Sequence, residues 1–516
     1  MKVLLVTSVS ARKLLEEVLK EVKTGDFILD AVVLDVPVAS LATVNDVVKT
    51  LHKYKSKLSG YDLIILPGLV RGNAKRVEEE FNVKAIKGTK YVGDLPELLK
   101  LVRLGFEFSY ETPADELIQE YLSKTYYDKV VNAIETKAPL FTVKNVKFTK
   151  TPPPLNLFFE YLMNEHNSLN EFNNLLSELK VSKYEGVVVG CNVECQNYGE
   201  VMKYVNLALN ERLVVGIDVP IDLTKVDIVK DLLRLPDMIF NVTSKDLDVL
   251  TKYLSSEQVV VVVPSKEGLK DVEEEINEII YKLNEVGINK VLIDPVVKPP
   301  MLGFYESLIR YSTLNAKTPY PLLIGFSNVY ELLDVDSHGV LVLLSSIAFE
   351  LGISSVLITE SSVKAGGALK EASISREMIY RAYVKKSPPI NVGVDLLIVK
   401  DKRKLTVKPP KVEEGRITYV TDVIPPKMEA SYYLKIYVNH EEGNIIVDVV
   451  SRESDEVLKR YVGKNPLSIG RKLLRDYMLS AEHVLYLGYE LSKAETSLKL
   501  RKNYVQDEDL FKFSYA

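Results

Sequence analysis

Four polar side chains stand at the ends of apolar runs, where α/β proteins concentrate their chemistry. Asp218 follows Gly216-Ile217, Asn241 follows Ile239-Phe240, Asp294 follows Leu292-Ile293, and Asn328 follows Gly325-Phe326-Ser327. A carboxylate accepts two hydrogen bonds from an amidine-like edge, and a primary amide donates and accepts at once. Two of each suit a flat heterocycle with an amino group, ring N–H donors and a carbonyl. Lys298, after Asp294-Pro295, and Lys364, in a Gly-rich loop, are the nearby candidates for contacting a phosphate or other anion. No residue type or spacing singles out a catalytic group or a metal site.

The elements that must position these residues are legible as periodic runs. LNLFFEYL at 155, GVVVGCNV at 186, LVVGIDVP at 213, MIFNVTS at 238, VVVVVP at 259, KVLIDP at 290, PLLIGFSN at 321 and SSVLITE at 354 are strand-like, with helical patterns between them. Repeats of ~30 residues suit βαβ units, and ~250 residues suit a (β/α)8 TIM barrel. The barrel is therefore expected over 150–385, although an open doubly wound sheet has the same alternation. In a barrel the carboxyl ends of the strands share one face, so the four polar residues should converge there.

Ahead of it, KVLLVTS, AVVLDV and Tyr61 to Gly68 alternate with amphipathic helices, which predicts a Rossmann-like or flavodoxin-like α/β domain over 1–135. Its loop Gly68 to Asn73 follows a strand, but lacks the spacing of a dinucleotide or phosphate loop and reads as a strand-to-helix turn. Thr151-Pro152-Pro153-Pro154 ends the linker between the two. Beyond a proline-broken connection, a C-terminal α+β domain is expected over 395–516. In it YYLKIYVN and NIIVDVVS form a hairpin around His440-Glu441-Glu442-Gly443, followed by helices near 464–480 and 480–502.

The chain has 516 residues, enough for two or three domains, and 47% hydrophobic with 27% charged residues is an ordinary globular composition. With 66 Lys plus Arg against 71 Asp plus Glu, it has no basic excess for nucleic acid. The cluster Lys400, Lys402, Arg403, Lys404 reads as a solvated linker. The apolar stretch Val340 to Ile358 carries Glu350, which argues for a helix, a turn and a strand rather than a membrane span. Cys191 and Cys195 are expected to be free thiols in a cytoplasmic protein.

GIDVP, FNVTS, LIDP and GFSN, in that order at strand ends, resemble the pterin-binding domain shared by dihydropteroate synthases and methyltetrahydrofolate:corrinoid methyltransferases. The tail, with Tyr486 to Glu495 and then Tyr504-Val505-Gln506-Asp507, extends the resemblance to archaeal dihydropteroate synthase-related proteins along nearly the whole chain. The resemblance implies a reduced pterin as ligand. It places Asp294 at the pterin amino group and N3, Asp218 and Asn241 near N1 and N8, and Asn328 near N5. It also implies tetrahydromethanopterin-type cofactor biosynthesis, an arylamine as second substrate, Mg²⁺ as a possible cofactor and a homodimer.

The chain departs from the synthase pattern where a pyrophosphate would bind. Glu160 to Asn164, Ser327-Asn328-Val329 and Thr359 to Ser362 replace the expected Asn, Ser-Arg-Lys and Arg-x-His. Asn328 resembles the methyltransferase branch instead. Leu341 breaks the corrinoid motif begun by Asp336-Ser337-His338, so a corrinoid partner would be a separate protein. Three functions follow: a dihydropteroate synthase-like transferase, a methyl-pterin methyltransferase, or a non-catalytic pterin carrier.

Overall fold

The computed structural model describes residues 1–21, 27–135, 137–163, 168–191, 197–220, 226–390, 392–400, 416–420 and 431–511. They form two compact units, Met1–Lys408 and Pro409–Ala516. In the first, β1 (Lys2–Thr7), β2 (Ile28–Val33), β3 (Leu63–Leu66) and β4 (Ala85–Lys87) make a parallel sheet in the order β2-β1-β3-β4. That is the flavodoxin-like order. Leu4, Val6, Ile64 and Leu66 pack on one face, and Val3, Leu5, Leu63 and Ile65 on the other. The loop after β3 is a turn with its amides engaged: Gly68 N donates to Thr89 O (3.0 Å), Val70 N to Pro67 O (3.1 Å) and Arg71 N to Ala42 O (3.0 Å). The helix Ala114–Glu135 leads onward from this sheet, with Ala114 and Ile118 in its core and Val130 and Ile134 in the next.

A small antiparallel hairpin, β5 (Phe141–Val143) and β6 (Val146–Phe148), precedes the proline run. Eight parallel strands follow: β7 (Asn156–Met163), β8 (Gly186–Cys191), β9 (Val214–Asp218), β10 (Met238–Val242), β11 (Val259–Val262), β12 (Val291–Ile293), β13 (Leu323–Gly325) and β14 (Ser355–Thr359). From β7 to β12 each pairs with the next, β13 pairs with β14, β14 pairs back to β7, and a single bridge between Ile293 and Leu322 links the β12 and β13 ends. The sheet is thus the expected barrel, with all eight runs as strands. Val340 to Ile358 divides between the helix Ser337–Glu350 and β14. Among the described residues no helix is long and apolar enough to cross a membrane.

Alternation along each strand sorts the side chains. Val187, Val215, Ile239 and Val260 pack outward beneath the helices, while Phe158, Val188, Phe240, Val261 and Leu292 fill the interior. Inside, rings oppose glycines: a Cβ on Gly186 would lie 2.6 Å from the Phe158 ring, and one on Gly216 2.8 Å from that of Phe240. The hairpin seals the amino-terminal end of the barrel. Its Phe148, with no exposed surface, stacks on Phe141 at 4.7 Å and on Phe158 at 6.3 Å. Lys144 anchors it, donating to Leu213 O (2.7 Å) and pairing with Asp237 (2.8 Å).

In the second unit β15 (Tyr432–Asn439), β16 (Asn444–Ser451) and β17 (Val457–Gly463) form an antiparallel sheet packed on the helices Pro466–Asp476 and Ala481–Leu500. The hairpin around His440 is as expected; β17 is an additional strand. Its Arg460 grips the buried Asp448 through two bonds of 2.6 and 2.7 Å. The tail closes the sheet edge, where Gln506 accepts from Ile436 N (2.9 Å) and donates to Leu434 O (3.0 Å). His483 is buried in this unit. Lys402, Arg403, Lys404 and the prolines at 409, 410, 425 and 426 lie outside the described residues.

Replacing Phe148 by Ala should remove about 3–5 kcal/mol of stability, the usual cost of deleting a buried ring. Denaturant unfolding of the full chain measures it. A loss below about 1 kcal/mol would show that the hairpin is not the floor of the barrel.

Candidate functional site

Above the aromatic layer the inward positions become polar. Glu160 on β7 and Asp218 on β9 flank Gly190 of β8, whose register partner is Asp218. Gly190 leaves the space they use, since a Cβ there would lie 2.7 Å from Glu160 Oε1. The two carboxyls hydrogen-bond each other. Burial, with the Asp218 charge beside it, pushes the Glu160 carboxyl up to about 8. Burial also raises Asp218, against the opposing hydrogen bonds from Asn241 and Glu160. Two half-buried carboxyls in contact cannot both ionise cheaply, so the pair keeps one proton near neutral pH.

Asn241 reaches this pair through a bulge. Ile239 and Val242 both face outward, so Phe240 and Asn241 share the inner side, where the pairing of β10 with β11 slips by a residue. Asn241 has φ of 57°, a left-handed conformation that asparagine tolerates better than most residues. Its Nδ2 donates to both Asp218 oxygens, at 2.6 and 2.7 Å, leaving Oδ1 to accept from a ligand.

Asp294 follows β12 at the same level. Its Oδ1 accepts from Val296 N (2.8 Å) and from the hydroxyl of the fully buried Tyr311 (2.6 Å). Both bonds fall on one oxygen, so the other remains for a ligand's donors. Burial raises this carboxyl to about 6, with the Asp218 charge adding to the shift, while the Tyr311 and Val296 bonds oppose it. Val296 donates from φ of 62°, a strained conformation for a β-branched residue.

Asn328 lies one step beyond the strand end, in the short helix Ser327–Tyr330, with Nδ2 3.6 Å from where a Cβ on Gly325 would stand. Asp218, Asn241 and Asp294 therefore form one connected electrostatic group, and Asn328 borders it from the next strand. The two lysines are engaged elsewhere: Lys298 pairs with Glu267 at 3.2 Å and Lys364 with Asp334 at 2.8 Å.

Glu160 and Tyr311 are the site residues that the motifs did not reveal. The signal for Glu160 was its spacing, because Phe158 and Glu160 share the inward parity of β7. Tyr311 lies on a helix and has no local mark. Asn164 lies outside the described residues. Cys191, at the end of β8, is in a disulfide rather than the free thiol expected, and Cys195 lies outside the described residues. That expectation rested on compartment and on the lack of a nearby His, neither of which decides whether a thiol meets a partner.

Residues 429–507 match the family model described as PterinBD-DUF4346. An uncharacterized protein of Methanocaldococcus jannaschii is 29% identical over 542 aligned positions, covering 99% of each chain. The resemblance to archaeal dihydropteroate synthase-related proteins is thus found again. Among solved structures, dihydropteroate synthase from Vibrio fischeri aligns at 16% identity over 45% of this chain and 94% of its own, with a TM-score of 0.35. Dihydropteroate synthase from Xanthomonas albilineans, in complex with 7,8-dihydropteroate, aligns at 15% over 47% and 96%, with a TM-score of 0.32.

The Glu160 carboxyl makes stability depend on pH. An unfolded glutamate ionises near 4.5 and the folded one near 8. Folding therefore retains a proton that the unfolded chain has lost, and stability falls as pH rises across that window. Glu160→Gln should match the parent near pH 4 and be the more stable at pH 8, by on the order of 1 kcal/mol or more. Urea titrations at the two pH values measure the difference. Equal stability of the two proteins at both would show that the carboxyl pair does not form.

Proposed function

We propose that the barrel mouth binds a reduced pterin, and that the protein is a pterin-dependent transferase of folate-like cofactor metabolism, including the tetrahydromethanopterin type. The observation that carries this reading is the half-used carboxylate of Asp294 opposite the Asp218–Asn241 pair. Its second oxygen would accept from the pterin amino group and N3–H. Asp218 and the Asn241 carbonyl would read the N1 and N8 side, and Asn328 would stand near N5. Glu160 positions Asp218 and holds a proton beside the ring.

Two transfers suit such a pocket. In a dihydropteroate synthase-like condensation, an arylamine nitrogen bonds to the pterin's exocyclic methylene carbon as its C–O bond to diphosphate breaks and the amine loses a proton. In a methyl transfer, the N5–C bond would break with its electron pair left on N5, which takes up a proton, as the methyl group bonds to the reduced, nucleophilic cobalt of a corrinoid held by a separate protein. Asn328 favours the second, because a neutral amide accommodates N5 whether protonated or not. Among the described residues no group of three or more His, Cys, Asp or Glu is placed to hold a metal ion, so any Mg²⁺ would come held largely by a substrate's own phosphates.

Asp294→Asn keeps an acceptor for Tyr311 but loses the charge, and should weaken binding of a reduced pterin about tenfold or more, the worth of a charge-assisted hydrogen bond. Fluorescence titration of the purified proteins reads the affinity. Unchanged affinity removes the pterin reading. With parent protein, release of diphosphate from hydroxymethyl-dihydropterin diphosphate and an arylamine would select the condensation; demethylation only with a cobalamin protein would select the methyl transfer. Tight binding with no turnover in either assay would select the carrier.

A further inference from the structure

In (β/α)8 barrels a phosphate recurrently binds at the loops after the seventh and eighth strands, together with a helix N-terminus. In this chain these are the loops after β13 and β14 and the start of the helix Ala368–Lys385. The chain's own carboxylates occupy the donors there. Gly367 N and Leu369 N both donate to Glu360 Oε1, at 3.1 and 2.9 Å. Ser361 donates to Glu331 from its amide (2.9 Å) and its hydroxyl (2.5 Å). Lys364 Nζ lies 2.8 Å from Asp334, and Ser337 Oγ donates to Glu371 at 2.5 Å. The amides of Ala365 and Gly366 turn back on the carbonyls of Ser362 and Val363.

The neighbouring rim repeats the pattern. Ser244 Oγ, Ser265 N and Lys266 N converge on the buried carboxylate of Glu275, at 2.8, 2.9 and 3.0 Å. Lys298 is held by Glu267, and Arg310 donates to the carbonyls of Pro295 and Glu267. Lys245 and Lys266 are exposed, on the two loops that Glu275 ties together.

We propose that Glu360, Glu331 and Asp334 are specificity-determining residues that stand where a ligand's phosphate would bind, so that the pterin this barrel takes as donor carries no diphosphate. The inference rests on the pterin reading and narrows its substrate class. A diphosphate entering this place would meet three carboxylates and one lysine already paired. To bind, it would have to break charge-assisted bonds before making its own. A neutral or cationic donor meets no such barrier.

The test uses the full-length protein and two probes, 6-hydroxymethyl-7,8-dihydropterin and its diphosphate ester, titrated calorimetrically with and without Mg²⁺. In the parent protein the ester should bind no tighter than the alcohol. Asp334→Asn and Glu360→Gln together remove the two charges that hold Lys364 and the helix amides, leaving only weaker neutral acceptors. The ester's affinity should then rise about tenfold, as expected for a regained charge-assisted bond, while the alcohol's stays unchanged. Asp334 is 99% exposed, so the single Asp334→Asn variant does not threaten folding and should show a smaller gain in the same direction. A parent protein that binds the ester about tenfold tighter than the alcohol, or variants that gain nothing, overturns this inference alone. If neither probe binds the parent, the pterin reading fails and takes this inference with it.

Discussion

The interior of a closed eight-stranded barrel is just wide enough for its own side chains, and that volume limit governs what else this chain can do. The lower layers satisfy it by setting rings against glycines, Phe158 over Gly186 and Phe240 over Gly216. Gly190 repeats the device one layer up, but the space it frees is taken by Glu160 instead of a ring. The rule that packs the core thus admits a half-buried carboxyl beside Asp218. Among the described residues the pair has no basic partner to neutralise it, and a shared proton lowers the cost of burial.

Two backbone distortions complete the layer, each serving one side chain. The extra residue in β10 turns Asn241 inward where strict alternation would send it toward the helices. The left-handed Val296 brings its amide onto Asp294. Such strain persists when the surroundings over-determine it, as Tyr311 does here by donating to the same carboxylate oxygen. Asp294 is thereby fixed by an amide and a hydroxyl, with no cation on it among the described residues.

The barrel strands were legible because a parallel strand buried on both faces must be an almost unbroken apolar run. The strand ends were legible too, since Asp218, Asn241 and Asp294 each interrupt such a run. β5 and β6 were not: at three residues each they are too short to carry a period, and they matter only because Phe148 meets Phe158. β17 exposes Val457, Leu458 and Val462 and buries Tyr461, so its sequence lacks the apolar face of a strand. Nor could the chain's own order of residues show that Lys298 and Lys364 are matched by Glu267 and Asp334, about thirty positions away in each case. Such pairings belong to the ring of loops that closure of the barrel creates.

The hairpin and the rings stacked on it close the barrel at its amino-terminal end, so a ligand of Asp294 would enter from the carboxyl-terminal side. A molecule seated against Asp294 can come and go only past the rim, and a second molecule waiting there would block its path. For two reactants, one seated deeper than the other, this would favour an order in which the deeper one arrives first. The kinetic sequence of any two-substrate reaction in this barrel would then be set at the end farthest from its chemistry, by Phe148 and its stack of rings.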